Sequence, residues 1–150
     1  MTEFNQPLSG NDIKSIGIIE RHFDGLLAGG AKTIALGGDH TVALPILRAQ
    51  HKVHGQMALV HVDAHADTND SMFGERITHG TIFRRAIEEQ LVDPAHMFQI
   101  GLRATGYAAE DFDWARERGV RVVPAEECWY KSLAPLMEAM KGVNGSPIHG

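Results

Sequence analysis

The chain has 150 residues, 43% of them hydrophobic, which suits one domain with a core of its own. Its formal net charge of -5 comes with scattered Lys and Arg, which argues against nucleic acid and anionic membrane surfaces as partners and favours a small cationic ligand. Cys128 is the single cysteine and excludes an intramolecular disulfide; with apolar runs too short to span a bilayer and no leader pattern at the N-terminus, a cytoplasmic protein is expected.

Residues 1–10 are polar, include Pro7 and Gly10, and are expected to form a flexible tail. From Asn11, apolar residues at Ile13, Ile16, Ile19, Phe23, Leu26 and Leu27 predict a helix that stops at Gly29-Gly30. A strand is expected over 32–36, then a turn at Gly37-Gly38 and a helix over 41–51 with Pro45 in its first turn. The apolar run 57–62 predicts a second strand, 81–90 a helix, and 97–102 a third strand. A helix over 107–118 closing at Gly119, a short strand over 120–123, and a helix over 125–141 with Pro135 awkwardly inside it complete the pattern. Strands alternating with helices predict an α/β fold, three layers α/β/α around a mainly parallel sheet, whose ligands bind beyond the carboxyl ends of the strands.

Nine histidines against two tyrosines and two tryptophans direct attention to imidazole chemistry. Val60-His61-Val62-Asp63-Ala64-His65-Ala66-Asp67 places Asp63, His65 and Asp67 on alternating positions after an apolar strand, so in an extended chain they point to one side, and His61 shares their parity. Gly37-Gly38-Asp39-His40 precedes this stretch and Thr78-His79-Gly80-Thr81 follows it. His40, Asp63, His65 and Asp67 together offer imidazole and carboxylate donors without a thiolate, a set that suits Mn2+, with Fe2+, Co2+, Ni2+ and Zn2+ as competitors. Asp63 is the natural bridge if two ions bind, and a water held by a pair of ions becomes a hydroxide source at neutral pH, which makes hydrolysis the default reaction. Asp39 is expected to support His40 or to cap the helix that follows, and the remaining histidines, His22, His51, His54, His96 and His149, are read as surface or core residues.

Gly-Gly-Asp-His at 37–40, Asp-Ala-His-Ala-Asp at 63–67 and His-Gly-Thr at 79–81, in this order and spacing, resemble the ureohydrolases, the family of arginase, agmatinase and guanidinobutyrase. The resemblance runs from about Asp12 to Pro147, and Asn69 to Glu75 with Phe83-Arg84-Arg85 is closer to the agmatinase and guanidinobutyrase branch. It implies that His40 and Asp67 hold one Mn2+, His65 the other, and Asp63 bridges them. It further implies His79 as the catalytic acid/base and Asn69 as a residue lining the pocket for the substrate's tail. His61 is not used as a ligand in the family pattern and is ranked as core or as support behind the ligands. The implied reaction converts a linear guanidino compound, agmatine or 4-guanidinobutyrate, to urea and an amine, in a homo-oligomer that is a trimer or hexamer.

The family pattern also contains an opening strand and helix, and a later strand of the form Ser-Phe-Asp-Ile-Asp that supplies two aspartates. Residues 11–150 are therefore expected to form a partial, incomplete ureohydrolase fold, ending at Ser146-Pro147-Ile148-His149-Gly150 before that strand's ligands. With only Asp63 between two ions, their repulsion is poorly compensated. Weak metal binding and little activity are expected of the isolated chain. Two alternatives stand beside this reading: a non-catalytic truncated paralogue acting as a binding or regulatory subunit, and another binuclear metallohydrolase acting on an amide or phosphoester.

Overall fold

The computed structural model describes residues 10–103 and 110–144, with side chains described over 14–103 and 113–142. Expectations for residues 1–9, for 107–109 and for Ser146 to Gly150 lie outside the described residues. The element order is α1 (Gly10–Ala28), α2 (Ala43–His54), β1 (Met57–Val62), α3 (Ile82–Glu88), β2 (Val92–Leu102), α4 (Glu110–Glu117), β3 (Arg121–Pro124), α5 (Ala125–Cys128) and α6 (Ala134–Asn144). The strands form one sheet in the order β1-β2-β3, and both neighbouring pairs are parallel.

Alternation along β2 sends successive side chains to opposite faces and so builds two cores. Val92 and Met97 pack with Leu44 of α2, Ile82, Phe83, Ala86 and Ile87 of α3, and Ala115 of α4 on one face. Phe98 and Ile100 pack with Val123 and with Met140, Leu136 and Met137 of α6 on the other. Helices on both faces of a parallel sheet make the expected three-layer α/β/α arrangement.

Local signals mark the end of the first helix and the entry into the second. The first helix ends at Ala28, one residue after the last periodic leucine, where Gly30 takes φ 75 and its N–H bonds to the carbonyl of Leu27. A 3-10 turn at His40–Val42, capped by Asp39 accepting from the Thr41 N–H, leads into α2, and Pro45 sits in that helix's first turn, where its missing N–H is not needed.

Three elements depart from expectation. Residues 31–37 have no ladder partner among the described residues, and Ile34 and Leu36 are 93% and 98% exposed. A strand exists only where its backbone finds a neighbour, and the apolar pattern over 32–36 does not itself supply one. The strand expected from Met97 begins at Val92, because the register jumps between Met57↔Val92 and Leu59↔Met97 and lets Asp93-Pro94-Ala95-His96 bulge out. Pro94 cannot donate to a ladder, so this run reads as a turn in sequence. The single helix expected over 125–141 is two: the chain breaks after Cys128, Tyr130 takes φ 55, and Pro135 falls in the first turn of α6. Proline fits there and is no longer an interior residue.

Candidate metal centre

The motif residues gather at the carboxyl end of β1. Beyond Val62 the chain stays attached to β2, since the Asp63 N–H bonds to the Ile100 carbonyl (3.1 Å) and the Arg103 N–H to the Ala64 carbonyl (3.0 Å). Gly101 has φ 91, and a Cβ there would lie 3.5 Å from the Asp63 carbonyl oxygen, so glycine suits the close approach of loop and strand end. The loop then turns at Asp67, whose φ of 51 lies in the left-handed region that Asp tolerates better than most residues. Its carbonyl accepts the Phe83 N–H at the start of α3, fixing the loop against that helix (3.1 Å).

His40 enters from the turn before α2. Its Nδ1 lies 2.7 Å from Asp67 Oδ2, and its ring meets those of His61 and Phe83 at centroid distances of 5.6 and 5.4 Å. One donor atom from each of His40, His61, Asp63 and Asp67 lies within 4.8 Å of the others. Ligand bonds of about 2.0 to 2.2 Å place two donors of one ion at most roughly 4.4 Å apart, so a small inward adjustment lets this set hold a divalent cation. Imidazole and carboxylate donors without thiolate fit Mn2+ and its first-row neighbours.

The electrostatics follow from the crowding. The hydrogen bond to Asp67 raises the His40 pKa above the ordinary imidazole value against the opposing effect of burial. Burial lowers that of His61 although Asp67 and Asp63 pull the other way. For Asp63, burial opposes ionisation, but the His65 backbone N–H and the imidazoles of His61 and His40 outweigh it and hold the carboxyl below the usual range.

Of the five residues singled out for catalysis and metal binding, three converge: His40, Asp63 and Asp67. His65 is beside them, exposed, its backbone N–H donating to Asp63 Oδ1 (2.9 Å) and its Nδ1 3.6 Å from the same oxygen. His79 is half-buried, 6.4 Å from the Phe73 ring centroid to centroid. Asn69 is buried, and its amide donates to the Gly80 carbonyl (2.8 Å) and approaches the Met72 sulfur (3.3 Å). His61, ranked behind the ligands in sequence, is inside the cluster and only 6% exposed. Gln99 went unnoticed: it pairs with His61 across the β1–β2 ladder, is fully buried, and contacts the His61 ring and the Ala66 carbonyl. Its signal was available, since it is the one polar side chain in the apolar run 97–102.

Comparison with known proteins bears on this constellation. The arginase family model matches residues 4–149. A guanidinobutyrase of Pseudomonas aeruginosa is 59% identical over 140 residues, covering 93% of this chain and 44% of its own length. A mitochondrial agmatinase of Gallus gallus is 46% identical over 132 residues, covering 87% of this chain and 39% of its own. The solved proclavaminate amidinohydrolase of Streptomyces clavuligerus superposes with a TM-score of 0.81 at 38% identity, covering 94% of this chain and 46% of that one. The chain thus spans less than half the length of the relatives it matches.

Proposed function

The chain belongs to the arginase family, and on that premise we propose that it carries one face of the metal centre of a manganese-dependent guanidino hydrolase. The observation that carries the reading is the convergence of His40, Asp63 and Asp67 beyond the end of β1. In this reading His40, Asp63 and Asp67 would hold one ion and His65 with Asp63 a second. Such ions, when bound, supply Lewis acidity and lower the pKa of water. The cationic guanidinium of agmatine or 4-guanidinobutyrate suits the negative charge of Asp63 and Asp67. His79 is the proposed acid/base residue, and Asn69 acts at the substrate's tail through the 68–80 loop that it braces.

Donor counting limits the activity. In this reading Asp63 would be the carboxylate shared by two ions, so their mutual repulsion would be weakly screened and the second ion would bind poorly. The isolated chain is therefore a slow or inactive hydrolase. The test is urea release from agmatine and 4-guanidinobutyrate by the Mn2+-loaded chain, with metal content measured alongside. A rate near that of full-length relatives overturns the limit, and phosphate release from phosphoesters in place of urea overturns the substrate class.

A second reading is favoured by the exposed apolar side chains Ile34, Leu36, Val60 and Val62. Large apolar side chains exposed at these positions suit a surface that a partner covers. In that reading the chain is a non-catalytic binding or regulatory subunit on an intact relative. Co-purification with a co-expressed full-length ureohydrolase supports it; elution of the two as separate species opposes it.

A further inference from the structure

Proximity alone makes His61 a fourth metal ligand, but its hydrogen bonding assigns it a different task. The side-chain nitrogen of Gln99 lies 2.6 Å from the Ala66 carbonyl oxygen, an atom that can only accept, so the Gln99 amide is oriented with its NH2 group there. The same nitrogen lies 3.3 Å from His61 Nδ1. An amide NH2 has no acceptor capacity, hence His61 Nδ1 must present its lone pair, and the single proton of the neutral ring sits on Nε2. Turning the ring over would surrender the bond to Gln99, and Phe83 packs against the ring with centroids 4.2 Å apart. His61 Nε2 is buried without a hydrogen-bond partner among the described residues, and Asp63 Oδ2 lies 3.5 Å from it.

We infer that His61 is a fixed Nε2–H donor that orients the Asp63 carboxylate, with Gln99 holding the tautomer, and that it is not itself a metal ligand. A protonated Nε2 has no lone pair for an ion. The two oxygens of Asp63 then face separate donors: Oδ1 accepts from the His65 backbone N–H at 2.9 Å, and Oδ2 lies 3.5 Å from the His61 Nε2–H, whose nearest carboxylate it is. A carboxylate so held meets an ion in one orientation, which is how partners behind a ligand tune affinity. The inference rests on Asp63 being a ligand, as proposed above. His61 is therefore a positioning residue, and Gln99 acts through it.

The experiment has two arms on the 150-residue chain. Long-range 1H–15N correlation spectra of the ion-free protein read each imidazole tautomer, with the His61 signals identified by their loss in His61→Gln. The expected result is Nε2 protonated and Nδ1 bare in the unsubstituted chain, shifting to a mixture of tautomers in Gln99→Met; Nδ1 protonated with Nε2 bare overturns the inference. In the second arm, Mn2+ binding is measured for His61→Gln, which keeps an N–H donor, and His61→Phe, which keeps a ring but no donor. Gln should stay within about threefold of the unsubstituted chain, whereas Phe should lose about 10- to 100-fold. Equal losses in both variants overturn the inference in favour of direct ligation. No Mn2+ binding by the unsubstituted chain overturns the metal reading itself, and the tautomer measured without ions still decides the role of His61.

Discussion

Gly80 sits where the loop bearing Asn69 is pinned, and Gly80→Ala perturbs the packing of Asn69 and Met72 there. A Cβ there would meet the Met72 sulfur, the Asn69 amide nitrogen at 2.9 Å and Met72 Cε at 3.3 Å. Both neighbours are side chains and can retreat, so the backbone persists while Met72 leaves its buried site and Asn69 loses its bond to the Gly80 carbonyl. Overpacking costs about 1 to 3 kcal/mol and the hydrogen bond about 1, offset by about 0.5 to 1 from the lower entropy of the unfolded chain, since Gly80 is not among the residues with positive φ. The net is a destabilisation of about 1 to 3 kcal/mol, or roughly 3 to 10 °C in Tm for a domain of this size. Differential scanning calorimetry of a cycle with Met72→Ala isolates the cause. The Met72→Ala change costs about 2 kcal/mol or more by itself, but it removes the worst contact, so the double variant should be little worse than Met72→Ala alone. Strict additivity, or no loss in Gly80→Ala, refutes the clash as the mechanism.

Three further outcomes follow from the packing and the charges. Leu44→Ala empties a fully buried position between α2 and α3 and should cost about 2 to 5 kcal/mol by urea denaturation; a loss under about 1 kcal/mol would show that the site collapses or is not core. Asp70 pairs with buried Arg85, and the Arg85 hydrogen bond holds its carboxyl below the usual range. Its contribution is therefore present above the unfolded carboxyl pKa and lost as pH falls through the lower folded one, so Asp70→Asn should destabilise at pH 7 by about 1 kcal/mol after allowance for Asp70's exposure. That gap should narrow once pH falls below the ordinary carboxyl range and close only below the depressed folded pKa, and a gap that does not change with pH contradicts the pairing. Arg48 grips Glu89 through two hydrogen bonds of 2.7 and 2.6 Å, tying α2 to the end of α3; Arg48→Lys should cost up to about 1 kcal/mol at low salt, whereas an unchanged Tm would mean that the fork geometry adds nothing.

What the sequence discloses divides along the range of the forces involved. The first helix ends where glycine and periodicity say, and β1 runs over the apolar stretch 57–62, because caps, turns and alternation are local, whereas the second helix continues three residues past the expected 51 to His54, before Gly55. The strand expected over 32–36 failed on pairing, a nonlocal property that Ile34 and Leu36 cannot announce. Pro135 was misread because the left-handed turn at Tyr130, a residue without special preference for it, resets the helix before proline arrives. At the site, the alternation of Asp63, His65 and Asp67 was visible, yet only Asp63 and Asp67 share the cluster with His40, because the chain leaves strand geometry after Val62 and His65 turns outward. The supporting rank given to His61 was legible, but its partner Gln99 was not, because that contact depends on a ladder register, His61↔Gln99, that links positions far apart in the chain.

The central claim is that His40, Asp63 and Asp67 form a metal-binding face, and Mn2+ titration followed by electron paramagnetic resonance tests it most directly. Saturable binding by the unsubstituted chain should weaken at least about tenfold in Asp63→Asn and in Asp67→Asn, and be unchanged in His79→Ala, which lies outside the cluster. Binding that is absent from the unsubstituted chain, or that survives both aspartate substitutions, contradicts the account.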